Sequence, residues 1–202
     1  MIRLEYKKVG SVYQVFLDGE YTGPFYLRQL PDTVMRSAED AEILVSEEQA
    51  EELKKLVKRY AFERYSALTA SREIAVSDLR QKMQRVYYPE SVIEETVEKL
   101  YQYNFLSDER YVESYIRNYR AGKAKTLLKR ELLAKKLDAE LIDAALEEVF
   151  EEDGVTEEET IQSIFQKKFQ GVDLSDERQK RRVFSYFLRR GYSYAVVKNC
   201  LT

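Results

Sequence analysis

Histidine is absent from this sequence. The usual general base near neutral pH and the commonest metal ligand are therefore missing. Cys200, the single cysteine, excludes an intrachain disulfide and has no histidine to activate it as a nucleophile. The seven glycines are scattered and form neither GxxxxGK nor GxGxxG, so no phosphate-cradling loop is present. No run approaches the ~18 apolar residues needed to cross a bilayer. Met1-Ile2-Arg3-Leu4-Glu5 lacks the apolar block of a signal peptide, and a cytoplasmic location is expected. Carboxylates are plentiful but fall in solvated runs such as Glu157-Glu158-Glu159. No catalytic residue, metal site or cofactor is expected, and nothing favours an enzyme. Tryptophan is also missing, whereas there are 16 Tyr and 9 Phe. The tyrosines suit half-buried packing, or stacking on nucleobases or a partner surface.

Three prolines in 202 residues, with 34% charged side chains, favour long helices. Within that background one apolar pattern occurs three times. It reads Leu79, Met83, Tyr88, Val92, Ile93, then Leu128, Leu132, Leu137, Leu141, Ile142, then Val183, Phe187, Tyr192, Val196, Val197. The spacing of four within each half predicts helices, and the break between halves predicts a tight elbow. Basic residues sit at each elbow: Arg85, then Lys135 and Lys136, then Arg189 and Arg190. Each unit is too small to bury a core alone, so the units must lean on one another. The expected fold is mainly all-α, with tandem three-helix repeats in a curved, elongated array that grips something anionic.

The first residues differ in character. Tyr13, Val15 and Leu17 alternate, Asp18-Gly19 supplies a two-residue turn, and Glu20 to Tyr26 returns. Met1 to Lys7 offers a third strand. This small β-hairpin element spans residues 1–45 and reads as a scaffold or a docking surface. Leu30 to Val45 has no clean period. Ser46 with Gln49 forms a capping box for a helix running to about Ala70. The repeats are assigned to 46–120, 121–172 and 173–202. The third lacks room for its third helix, unless the long helix before Ala70 belongs to the register from the other side. Further caps fall at Ser107 or Asp108, Asp138, Thr156, Ser175 or Asp176, and Ser193.

Net charge is -3, but the charges are segregated. Tyr115 to Lys136 holds Arg117, Arg120, Lys123, Lys125, Lys129, Arg130, Lys135 and Lys136 against Glu131 alone. Arg178 to Arg190 holds Arg178, Lys180, Arg181, Arg182, Arg189 and Arg190 with no acid, whereas Asp138 to Glu159 has no base. Such runs form solvated faces that neutralise one another, or a surface for phosphate or carboxylate. Lys125, Lys129 and Lys136 are expected on one helical face. Charge alone does not separate DNA from an acidic protein as partner.

At these residues the chain resembles the RecX family, bacterial regulators of the RecA recombinase, from about Lys58 to Leu201. The resemblance rests on Asn104-Phe105-Leu106-Ser107-Asp108-Glu109-Arg110-Tyr111, on Gly122-Lys123 and Leu128-Lys129-Arg130-Glu131-Leu132-Leu133-Ala134-Lys135-Lys136-Leu137, and on Phe187-Leu188-Arg189-Arg190-Gly191-Tyr192-Ser193. The hairpin with Leu17-Asp18-Gly19-Glu20 resembles the longer members. The resemblance implies a protein that is mainly an inhibitor, acting in DNA repair, recombination and the SOS response, and a monomer is expected. Such a protein lies in the groove of the RecA filament on single-stranded DNA and blocks ATP hydrolysis, strand exchange and filament growth. The alternative is a stand-alone, sequence-independent DNA-binding protein. Arg117, Arg120, Lys123, Lys125, Lys129, Arg130, Lys135, Arg189 and Arg190 match basic positions of the family and are the candidate contacts to RecA or DNA. The chain also departs from the family. Arg72-Glu73-Ile74-Ala75 replaces Arg-Pro-Arg-Ser, Lys136 stands where Gly is expected, a Gly near Val86-Tyr87 is missing, and Val112 replaces Ala. A missing Gly leaves a left-handed turn strained or rebuilt.

Overall fold

Asp18 and Gly19 both take positive φ, 48° and 80°, as a two-residue hairpin turn between extended strands requires. That turn organises the first of two compact units in a computed structural model that describes residues 1–30 and 43–201. The units are Met1–Ser107 and Asp108–Thr202. In the first, β1 (Ile2–Val9), β2 (Val12–Leu17), β3 (Glu20–Phe25) and β4 (Ile43–Val45) form an antiparallel sheet ordered β3-β2-β1-β4. The sheet therefore has one strand more than the sequence pattern offered. β4 is the tail of the stretch without clean period, and most of that stretch lies outside the described residues. The Asp18 carboxylate accepts the Arg3 N–H at 2.7 Å, which ties the turn to β1.

α1 (Glu47–Ser71) begins at the expected capping box: Ser46 Oγ accepts the Gln49 N–H and Gln49 Oε1 accepts the Ser46 N–H. Ala50, Leu53, Val57, Ala61, Tyr65 and Thr69 recur every three or four residues and are buried. This face packs on the sheet, where Leu4, Val15 and Phe25 are fully enclosed. The approach is close. A Cβ on Gly23 of β3 would lie 2.7 Å from a Val57 methyl, so only glycine allows this contact. α2 (Val76–Arg85) and α3 (Glu90–Gln102) complete the unit. α2 starts two residues before the expected Asp78. Its N-cap is Ala75, which makes no side-chain cap but is itself fully buried. Here packing replaces the missing Ser of the family pattern.

The second unit holds α4 (Asp108–Tyr119), α5 (Lys125–Leu133), α6 (Ala139–Asp153), α7 (Glu157–Lys168), α8 (Glu177–Leu188) and α9 (Tyr194–Leu201). Asp138 caps α6, Thr156 with Glu159 boxes α7, Asp176 caps α8 and the Ser193 hydroxyl accepts the Val196 N–H. The chain is thus mainly α-helical, nine α-helices among the described residues, with a small N-terminal sheet.

The repeated apolar residues form the interiors. All are buried except Leu141 and Val196, which are half-buried. In each set the helix before the copy packs on the helix after its elbow: α1 on α3, α4 on α6, and α7 on α9. Three helices therefore close around each copy, including the third.

Candidate functional site

The first and third elbows are Schellman turns, and the second keeps the shorter of the two bonds, from the Lys136 N–H to the Leu133 carbonyl. The Tyr88 N–H reaches the Met83 carbonyl while the Tyr87 N–H reaches Gln84, and Tyr192 and Gly191 repeat this on Phe187 and Leu188. The turn needs a left-handed residue at one fixed place, and that place is eight residues into every copy. It is occupied by Tyr87 (φ 68°), Lys136 (φ 64°) and Gly191 (φ 88°). The two positions that lack glycine thus keep the left-handed turn and carry its strain. The finding corrects one expectation. Lys136 lies past the end of α5 in left-handed backbone, so it does not continue the helical face of Lys125 and Lys129.

The third elbow sits on the head of α5. The Arg190 carbonyl accepts the Ala124 N–H at 2.9 Å, and the Gly191 carbonyl accepts the Thr126 hydroxyl at 2.6 Å. A Cβ on Gly191 would fall 2.6 Å from Leu127 Cβ. α5 has no side-chain cap of its own. The carbonyls of the third elbow supply acceptors there, and the Glu157 carboxylate faces the Lys125 N–H. Burial raises the pKa of Glu157, Glu158 adds to the rise, and Lys125 opposes it. This docking brings Arg189 and Arg190 to the segment that carries Lys123 and Lys125.

All nine candidate cations lie in the second unit, in different electrostatic settings. Arg117 donates to Glu113 and Glu152, each at 2.8 Å. Arg120 donates to the Val149 carbonyl at 3.0 Å and lines a cleft of about 340 Å³ with Phe150 and Lys167. Lys123 Nζ donates to both Glu131 oxygens at 2.9 and 2.7 Å and lies 4.3 Å from the Tyr119 ring centroid. The Tyr115 hydroxyl donates to the same carboxylate at 2.9 Å; burial first, and then this bond, raises its pKa above the ordinary tyrosine value. Lys129 pairs with Asp143, and Lys125 lies over Phe150 at 4.8 Å. Arg190 stacks on Tyr186, its guanidinium carbon 3.6 Å from the ring centroid. Lys135 is half-buried. Arg130 and Arg189 are exposed and have no ion pair or side-chain hydrogen bond among the described residues.

The elbow-centred reading left out four cations on α8, Arg178, Lys180, Arg181 and Arg182, of which the three arginines are exposed. Val183, Phe184 and Phe187 turn inward. Arg178, Arg181 and Arg182 are therefore on the outer side, exposed and without guanidinium partners among the described residues. The helical period of the buried residues is the signal that finds them. Arg189 continues the row, because its N–H still bonds the Ser185 carbonyl in helical register.

Among the described residues no group of histidine, cysteine or carboxylate side chains is placed to hold a metal ion, and no helix is long and apolar enough to cross a membrane.

Comparison with known proteins matches two successive modules. Residues 107–146, α4 into α6, match the second three-helix domain of RecX, and residues 156–201, α7 to α9, match the third. The regulatory protein RecX of Pseudomonas fluorescens is 30% identical over 137 residues, which cover 67% of this chain and 85% of that protein. That of Corynebacterium efficiens is 30% identical over 165 residues, covering 78% and 75%. A crystal structure of regulatory protein RecX covers 99% of this chain and 98% of its own, with a TM-score of 0.59 at 20% identity. RecX from Lactobacillus salivarius covers 71% of this chain with a TM-score of 0.52 at 16% identity, and these two structures speak for the fold. With three-helix modules in the same order and relatives aligned over most of their length, the chain belongs to the RecX family of regulatory proteins.

Proposed function

We propose that this chain is a regulator, mainly an inhibitor, of a RecA recombinase. In this reading it lies in the groove of the RecA filament on single-stranded DNA. There it blocks ATP hydrolysis, strand exchange and filament extension, without catalytic chemistry of its own. It acts as a monomer in the cytoplasm, where DNA repair takes place. Family membership supports the reading. The observation that carries it is the docking of the third elbow on the head of α5, which joins two basic segments into one surface. Arg189 offers unpaired charge on that surface, Lys125 and Arg190 offer charge held over aromatic rings, and Arg130 adds an unpaired charge on α5.

A second reading, a stand-alone DNA-binding protein, is favoured by the unpaired arginines of α8. Titration of the chain into the DNA-dependent ATPase reaction of RecA separates the two. Suppression at protein levels far below those that coat naked DNA supports the regulator. Inhibition that tracks DNA coating, and disappears when DNA is in excess, supports the alternative.

A further inference from the structure

Most candidate cations are already occupied within the protein. Arg117, Lys123 and Lys129 are held by carboxylates, and Arg190 by an aromatic ring. An incoming anion must compete for them. The outer face of α8 has no such competitor. Arg178, Arg182, Ser185 and Arg189 fall within a narrow arc of the helix, with Arg181 beside them, and all five are exposed. Carboxylates occur only before this row, at Asp176, which is engaged in capping, and at Glu177. At about 1.5 Å per residue the row is about 16 Å long, with Arg178 and Arg182 about 6 Å apart and Arg189 about 10 Å beyond Arg182, Ser185 standing between them. The first interval is comparable to the spacing of phosphates along an extended single strand, and the second to roughly twice it. Guanidinium groups are weakly hydrated and fork onto phosphate oxygens.

An aromatic flanks the row. Tyr194 at the start of α9 is 56% exposed and is anchored by its ring contact with buried Phe184, 5.3 Å between centroids. Leu188 is exposed on the same side of α8. Such a ring offers its face to an unstacked base, which a duplex does not present.

We propose that the outer face of α8 is a single-stranded DNA site, with backbone phosphates on Arg178, Arg181, Arg182 and Arg189 and one base on Tyr194. The choice of DNA rests on the regulator reading above; the geometry itself selects a flexible polyanion with exposed bases. Arginine supplies sequence-independent attraction and Tyr194 the preference for single strands.

The test is fluorescence anisotropy of the full chain with a labelled oligothymidylate and with a duplex, across a salt series. Replacing the four arginines together (R178Q, R181Q, R182Q, R189Q) should lower single-strand affinity at least about tenfold and flatten the salt dependence by about 0.7 log units per lost contact. R182Q alone should flatten it by about 0.7, which keeps the test usable if the fourfold variant folds poorly. A control with the same charge change in the other unit (K54Q, K55Q, R59Q, R85Q) should bind like the parent. Y194A should lose about tenfold on the single strand and little on the duplex. A parent chain that binds no oligonucleotide, an arginine variant that binds normally, or a control that loses as much would overturn the proposal. RecA ATPase suppression distinguishes this failure from failure of the regulator reading. A variant that loses DNA but still suppresses the ATPase supports the DNA site and places the RecA contact elsewhere. A variant that keeps DNA binding but no longer suppresses makes α8 a protein-contact face and overturns it.

Discussion

Replacing Gly191 by alanine puts the elbow geometry to a quantitative test. Two costs add. The residue sits at φ 88°, where an L side chain strains the backbone, and that strain is about 1 kcal/mol or more. The new methyl would also stand 2.6 Å from Leu127 Cβ and 2.9 Å from the Leu127 nitrogen, neither of which is the far end of a flexible chain. Relieving such a clash means moving the elbow off α5, an overpacking cost of about 1–3 kcal/mol. The expected loss is about 2–4 kcal/mol, a large part of the ~5–15 kcal/mol that holds a domain folded. Urea unfolding followed by helical circular dichroism reads it, with tyrosine fluorescence as a second probe. Lys136 is the internal control, because it holds the same position in the second copy without glycine. Lys136→Gly should stabilise by up to about 1 kcal/mol. If Gly191→Ala unfolds at the parent's midpoint, or if Lys136→Gly loses as much as Gly191→Ala, the account of the elbows is wrong.

Other expectations concern charge. Lys123→Ala removes the partner of a half-buried carboxylate and should cost about 1–2 kcal/mol, read by urea unfolding, with Tyr115→Phe showing a smaller loss. Glu157 has a folded pKa above the ordinary carboxylate value of 4.5, chiefly through burial. Folding therefore penalises its charged form, and stability should fall as pH rises from that ordinary value through the raised one. Glu157→Gln, which keeps an acceptor for α5, should raise the urea midpoint at neutral pH and remove that part of the pH profile. Glu95 acts in the opposite sense. Its hydrogen bonds to Lys58 and Lys99 lower its pKa, so its contribution is present above the ordinary carboxylate range and lost as pH falls through the lowered value. Ala at Lys125, Arg189 and Arg190 should weaken RecA ATPase suppression without loss of helical dichroism; normal potency would remove these residues from the interface.

Local signals carried far in this sequence. Apolar spacing located the helix interiors, and Ser46, Asp138, Thr156, Asp176 and Ser193 marked helix starts because a side-chain acceptor must meet the free amides there. The family pattern, rather than a local signal, pointed to strained turns, because it has Gly at the place of Lys136 and near Val86-Tyr87. What was not legible depends on the chain folding back. Lys129 meets Asp143 only because the elbow returns α6 along α5, and Arg117 meets Glu152 across 35 residues. A linear count of bases in α4 and α5 therefore overstates the free charge. Conversely, the α8 arginines gain importance only once Val183, Phe184 and Phe187 fix the inward face. β4 escaped notice because three residues are too few to show alternation, and its pairing with β1 is tertiary.

Electron microscopy of RecA filaments formed on single-stranded DNA and mixed with this chain examines the central claim most directly. The account predicts added density that follows the filament groove, with α8 turned toward the DNA. Density confined to naked DNA beyond the filament ends, or an unchanged filament at saturating protein, would contradict it.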